Sequence, residues 1–275
     1  METDDIYQSP FSGRYGSDIL RQIWSENQKR KIWRKIWVAL AKVQSTFGLV
    51  SQEQVVELRK HQDQVDLDRS LEVEARIKHD LMAEIIVYGE QCPASEGILH
   101  LGATSMDIKD NAVVLQIKAS LTILREQLEK LLLEFADRIE DYADLDVMGF
   151  THLQPAEPTT LGYRFAQYGQ DLLLGYKELR AFEENLKGKG FTGAVGTSAS
   201  FQALLGESNL PIFQKRMEDQ LGLQFFPVVN QTYPRSQDYR LISALAGLAA
   251  TLYKFSFDLR FLQPPSVGEL AETQG

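Results

Sequence analysis

The stretch 107–143, DIKDNAVVLQIKASLTILREQLEKLLLEFADRIEDYA, decides the fold class. It holds neither glycine nor proline, and Leu121, Leu124, Leu128, Leu131, Leu132, Phe135 and Ile139 recur at intervals of three and four. That is the period of a helix with one apolar side. Asp107 and Asp110 stand near its start, where carboxylates complement the positive end of the helix dipole. A segment this long predicts a helix well beyond the usual mean of about 11–12 residues, and hence a long bundle.

The same pattern extends in both directions. Residues 17–47 also lack Gly and Pro, with Ile23, Trp24, Ile32, Trp33, Ile36, Trp37 and Leu40 near helical spacing. Residues 49–89 read as shorter helices joined by an acidic connection around Asp63 to Asp68, followed by a break at Cys92-Pro93 and a compact loop to Thr104. A further helix is expected to start near Pro158, a residue suited to a first helical turn, and to stop at Gly188 and Gly190. Another runs from about Ser236 to Leu262, before Pro264-Pro265. No alternating pattern of any length is present, so no strand is expected. The expected fold is all-α, with an N-terminal helical domain over 1–106 and the first part of a long-helix bundle over 107–275. Long helices with apolar stripes need partners to cover them. The chain therefore reads as a fragment or as one that borrows helices from other subunits; a complete three-helix bundle is the plainer alternative.

Composition narrows the partners. Of 275 residues, 44% are hydrophobic and 24% charged, as in an ordinary globular protein rather than a disordered one. The net charge of -9 argues against nucleic acid and anionic membranes, so cationic contacts to an anionic small substrate must be local. A single cysteine, Cys92, excludes an intrachain disulfide. The N-terminus METDDIYQSPFSGRY lacks the apolar stretch of a signal peptide. The cytosol is the expected compartment.

Candidate chemistry centres on histidine. His61 sits in a polar run, KHQDQ, and reads as a surface residue. His79 (KHD), His100 (ILHLGATS) and His152 (FTHLQPAEPTT) lie among small and polar neighbours that suit a site better than a core. Taken singly each could be structural; together they point to a site. No HExxH and no paired cysteines are present, so no metal is expected, and no other cofactor. Gly188, Gly190 and Gly193 spell G-x-G-x-x-G, but after a predicted helix rather than a strand, which is the wrong context for a dinucleotide. They read as a helix stop and a tight loop whose N–H groups could approach an anion.

Two segments carry a resemblance. ILHLGATSMDIKDNA (98–112) and MGFTHLQPAEPTTLGYRFAQYGQDL (148–172) resemble the fumarase/aspartase superfamily and, within it, the adenylosuccinate lyase family, most like the branch that includes animal enzymes. SPFSGRYGS (9–17), EVEARIKHDLMAE (72–84), GFTGAVGTSASF (190–201), NQTYPR (230–235) and DLRFLQ (258–263) match in order. The resemblance implies a homotetrameric C–N lyase that eliminates fumarate from a succinylated purine nucleotide, with each site shared among subunits. It implies that His152 is the general acid and that His79 is also catalytic. Arg14, Tyr15, Thr104, Ser105 and Gln231 match positions that hold the nucleotide or its succinyl group, Asp80 closes the Arg-His-Asp segment, and His100 has a supporting place. Lys78 departs from the family's arginine: it keeps the charge but loses the planar fork. The family's catalytic base is a serine on a Gly-Ser-Ser-x-Met-Pro-x-Lys-x-Asn loop expected to begin where this chain stops, with Gly275 its first residue. Without that loop, the chain alone is expected to be inactive. The alternatives are another lyase of the superfamily, such as an argininosuccinate lyase or a carboxymuconate cycloisomerase, and a non-catalytic helical fragment that only oligomerises.

Why these residues suit that chemistry follows from charge. Proton loss next to a carboxylate builds up negative charge, which fixed donors must stabilise. Thr104 and Ser105 precede a long helix, where hydroxyls and free N–H groups converge on anions; a simple helix cap is the plainer role for both. A departing purine nitrogen needs a proton, and a histidine delivers one near neutral pH, worth ~10²–10⁴ in rate.

Overall fold

The computed structural model describes Ser9 and residues 11–271. Gly275, the expected start of the serine loop, lies outside them. The chain divides into two compact units, 1–120 with 186–234, and 121–185 with 235–275. This division falls inside one long helix, Ser105–Asp141.

The first unit holds α1 (Asp18–Ile23), α2 (Glu26–Ser45), α3 (Gln52–His61), α4 (Leu67–Ile77), α5 (Asp80–Gln91) and the start of α6 (Ser105–Asp141). The expected helix over 17–47 is broken at Trp24-Ser25, because Ser25 turns out of the helix and accepts the Gln28 N–H at 3.2 Å to cap α2. The apolar side of α2 forms the core. Trp33, Ile36, Trp37 and Leu40 are buried with Leu58, Leu81, Tyr88, Phe191, Phe201, Phe213 and Met217. Each such side chain contributes about 1.5–3 kcal/mol by leaving water. Beside them lies a buried charge cluster, in which the Glu84 carboxylate accepts from Arg34 Nε at 2.5 Å, Arg30 Nη1 at 3.3 Å and Ser70 Oγ at 2.6 Å. Arg30 also donates to Glu74 at 2.9 Å, so one cluster ties α2 to both α4 and α5. Cys92 is buried at the end of α5, and burial pushes its thiol up to about 11. The unit is completed by α8 (Ala199–Leu205), α9 (Leu210–Leu221) and a minimal parallel pair, β3 (Lys187–Gly188) with β4 (Gln224–Phe225).

The second unit contains the rest of α6, α7 (Leu161–Glu184) and α10 (Ser236–Phe261). Leu121, Leu128 and Phe135 of the α6 stripe are buried, and Phe135 packs edge-on against Phe165 and Phe255. Tyr168 joins the cluster and donates to Asp258 at 2.8 Å. On α10 much apolar surface remains open: Tyr239, Ile242, Tyr253, Phe257 and Phe261 are exposed.

This unit also corrects the strand-free expectation. β1 (Asp146–Thr151) and β2 (Gln154–Thr160) form an antiparallel hairpin, and α7 starts at Leu161, not near Pro158. Pro158 pairs with Met148, and Pro155 with Phe150. A two-stranded ribbon has only edges, where proline is tolerated. Thr160 caps α7 by accepting the Tyr163 N–H at 3.1 Å. No described helix is long and apolar enough to cross a membrane.

Candidate functional site

In the first unit the candidates gather at three neighbouring backbone features. One is the turn from α4 to α5. Lys78 ends α4 in a left-handed conformation (φ 58°), and His79 caps α5, its Nδ1 accepting the Met82 N–H at 3.3 Å. Both side chains are exposed. Asp80 is half-buried and accepts from Lys109 Nζ at 2.8 and 3.1 Å and from the Leu81 N–H at 2.7 Å. Burial works against its charge, but the Lys109 ammonium and the Leu81 N–H outweigh burial and hold the carboxyl below its usual range.

Next comes the 99–105 loop. His100 also adopts a positive φ, 64°. Its Nδ1 accepts the indole N–H of Trp37 at 3.1 Å, with the two rings edge to face. Burial, reinforced by the charge of His79, lowers its pKa to about 4, so at neutral pH it is an uncharged ring. The bond to Trp37 fixes Nδ1 as the acceptor and leaves the proton on Nε2. Ser105 opens α6, and the Thr104 N–H is capped by the Asp107 carboxylate at 3.0 Å.

The glycine loop after Leu186 completes the group. Asp107 also receives the N–H groups of Thr192 (3.3 Å) and Gly193 (3.2 Å) and the Lys189 ammonium, all within the protein interior. Asn111 bonds both faces of Gly190, donating to its carbonyl at 3.1 Å and accepting its N–H at 3.2 Å. A Cβ at Gly188 would lie 2.5 Å from Asn111 Oδ1. Thus the first turns of α6 fasten the loop, and the G-x-G-x-x-G pattern reflects close approach to a helix rather than a dinucleotide site. Gln231 is exposed on the following segment, which is anchored where Asp110 accepts the Tyr233 N–H at 2.9 Å. Gly196 (φ 78°) backs against the same segment: a Cβ there would meet Val229 O at 2.0 Å.

Arg14 and Tyr15 end a single π-helical turn, Phe11–Tyr15, and are exposed. Among the described residues no hydrogen bond or ion pair joins them to the other candidates.

The second unit holds His152. With Leu153 it forms the two-residue loop of the hairpin, closed by the Thr151–Gln154 pair. Their φ values are 51° and 61°, and both side chains are exposed. Two positive φ values define the turn that matches strand twist, a position that normally takes Asn-Gly. A non-glycine residue there costs ~1–2 kcal/mol, and such strain persists where the surroundings dictate it, commonly at functional sites. A cavity of roughly 570 Å³ in this unit is lined by Leu153, Arg164, Tyr168, Lys254, Asp258 and Phe261 among others.

Sequence reasoning missed Lys109, Asp107 and Lys189. For Asp107 a signal existed, since Thr104-x-x-Asp107 has the spacing of a helix cap. Lys189 carried none, because its partner lies 82 residues away.

Folds of this kind are known. The structure of a fumarate lyase from Mesorhizobium sp. BNC1 superposes with a TM-score of 0.85 at 23% identity, covering 97% of this chain and 61% of that one. A 3-carboxy-cis,cis-muconate lactonizing enzyme from Pseudomonas putida gives 0.84 at 24% identity, over 94% and 59%. Both share the mainly helical fold of this chain. The profile of the family described as "Lyase" matches residues 6–274, and the chain belongs to that family. Its curated relatives include the adenylosuccinate lyases of Saccharomyces cerevisiae (35% identical over 95% of this chain and 56% of that protein) and Archaeoglobus fulgidus (36%, over 96% and 58%). The chain therefore spans little more than half the length of the relatives it matches.

Proposed function

We propose that this chain is part of an adenylosuccinate lyase, a C–N lyase that eliminates fumarate from adenylosuccinate to leave AMP, and from the succinylaminoimidazole carboxamide nucleotide. The similarity to curated adenylosuccinate lyases over 95% of the chain carries the reading. In it, His152 protonates the departing nitrogen. Its place at the tip of a strained hairpin supports the role, since the backbone holds the ring out where a substrate can meet it. Thr104, Ser105 and the N-terminus of α6 face the succinyl carboxylates, where the helix dipole favours anions. His79 and Asp80 flank this region, and neutral His100 supports it through an Nε2 proton. Arg14, Tyr15, Lys78 and Gln231 contact the nucleotide. No cofactor is required, because proton transfer and fixed charge suffice for the elimination.

We further propose a homotetramer whose subunits share each site. The exposed apolar side chains of α10 support assembly. The exposure of Arg14, Tyr15, His79, His152 and Gln231 supports sharing, because a ligand pocket needs more cover than these positions have. The base serine would lie past Gly275, and 1–106 and 107–275 would be the N-terminal and bundle domains.

The test is fumarate release from adenylosuccinate, followed by ultraviolet absorbance, with the full-length protein and its His152→Ala variant. The variant is expected to lose about 10²–10⁴ in kcat. A folded tetramer without turnover would overturn the assignment, and argininosuccinate would be the next substrate.

A further inference from the structure

Lys109 has no role in the reading above, yet three observations place it in the same region. It lies four residues after Ser105, so the two share one side of α6. Its ammonium donates to both oxygens of Asp80, at 2.8 and 3.1 Å, joining α6 to the first residue of α5. Asp80 Oδ1 in turn lies 3.7 Å from His79 Nδ1. The pair is only part-buried, with 34% of the Lys109 side chain and 27% of the Asp80 side chain exposed, so a ligand can reach it. Lys78, two residues before Asp80, is exposed at a left-handed helix end, and no ion pair holds it among the described residues.

We propose that Lys109 is a positioning residue of the site: through Asp80 it pins the His79 turn to the side of α6 that carries Ser105, and it sets there a fixed cation that Lys78 does not provide. The proposal rests on the substrate site inferred above. The charged groups around Asp80 are Lys109 from α6, Lys29 from α2 and His79 from the preceding cap, with His100 electrostatically coupled to His79. Lys29 is itself engaged by Glu26 at 2.6 Å and by the face of Trp33. Lys109 is thus the only one of the two lysines that hydrogen-bonds Asp80.

The test uses the full-length protein with Lys109→Met, Lys109→Arg, Asp80→Asn and the Asp80→Asn/Lys109→Met pair, reading adenylosuccinate turnover against pH. Lys109→Met is expected to lower kcat about tenfold, the worth of one charged hydrogen bond. Its acid limb should move to higher pH, because the lost ammonium no longer holds the Asp80 carboxyl down. Lys109→Arg should restore most of the rate, and in the Asp80→Asn background Lys109→Met should add less than about twofold. Unchanged kcat, KM and acid limb in Lys109→Met would overturn the proposal. So would an equal loss in both backgrounds, which would show that Lys109 does not act through Asp80. If Lys109→Met fails to fold by circular dichroism, Lys109→Gln is read by the same criteria. A wild type without turnover removes the functional reading and this proposal together, whereas an active wild type with an unaffected variant removes this proposal alone.

Discussion

Replacing Glu84 with glutamine asks whether one buried carboxylate organises the packing of α2, α4 and α5. Glu84 is fully buried and receives Arg34, Arg30 and Ser70. Glutamine keeps the shape, but it removes the charge and points an N–H2 group at guanidinium donors. The cluster is already rich in donors, since Arg30 Nε and Arg34 Nη2 have no hydrogen-bond partner. Losing one partner of a buried ion pair costs about 3–5 kcal/mol. Part of this is recovered, because Arg34 keeps the carbonyls of His61 and Gln64 (3.0 Å each) and the Gln91 amide oxygen (2.7 Å). Arg30 keeps Glu74 and the face of Trp33. The expected net loss is therefore about 2–4 kcal/mol. Urea unfolding followed by the fluorescence of Trp33 and Trp37, both buried in the adjoining core, measures it. With a slope of about 2 kcal/mol/M, the midpoint should fall by roughly 1–2 M. A loss below about 1 kcal/mol, the size expected of a surface pair, would refute the view that this carboxylate organises the three helices.

Two further outcomes are expected. Gly196→Ala should cost at least about 2 kcal/mol, from the left-handed backbone and the clash with Val229 O. Gly48→Ala, with a similar φ of 75° but nothing within 4 Å, should cost clearly less; thermal midpoints compare the two. His100, depressed from 6.5 to about 4, binds its proton more readily in the unfolded chain, so its contribution to stability is complete above about 6.5 and lost as pH falls toward 4. Thermal midpoints measured between pH 7.5 and 4.5 should fall, and His100→Gln should flatten that slope.

The sequence made the long helices legible because nothing interrupts their period: α6 was expected from about Asp107 to Ala143 and runs from Ser105 to Asp141. The hairpin was hidden because β1 and β2 carry Gly149, Pro155 and Pro158 and do not alternate, while the His152-Leu153 turn lacks the glycine that usually announces it. Tertiary context overrode local preference there. Candidate residues were legible where they sit in short motifs. Lys109 and Lys189 were not, because their meaning depends on pairings across 29 to 82 residues that only the folded chain makes.

The buried cysteine has a practical consequence. Thiol reagents attack the thiolate, and Cys92 is both shielded from solvent and held in its protonated form. A reagent meets it only when the packing of α3 and α5 opens, so the chain's single thiol works as a built-in clock for local opening. While it stays closed, the folded chain is a silent background for a labelled cysteine introduced elsewhere, for example at the hairpin tip.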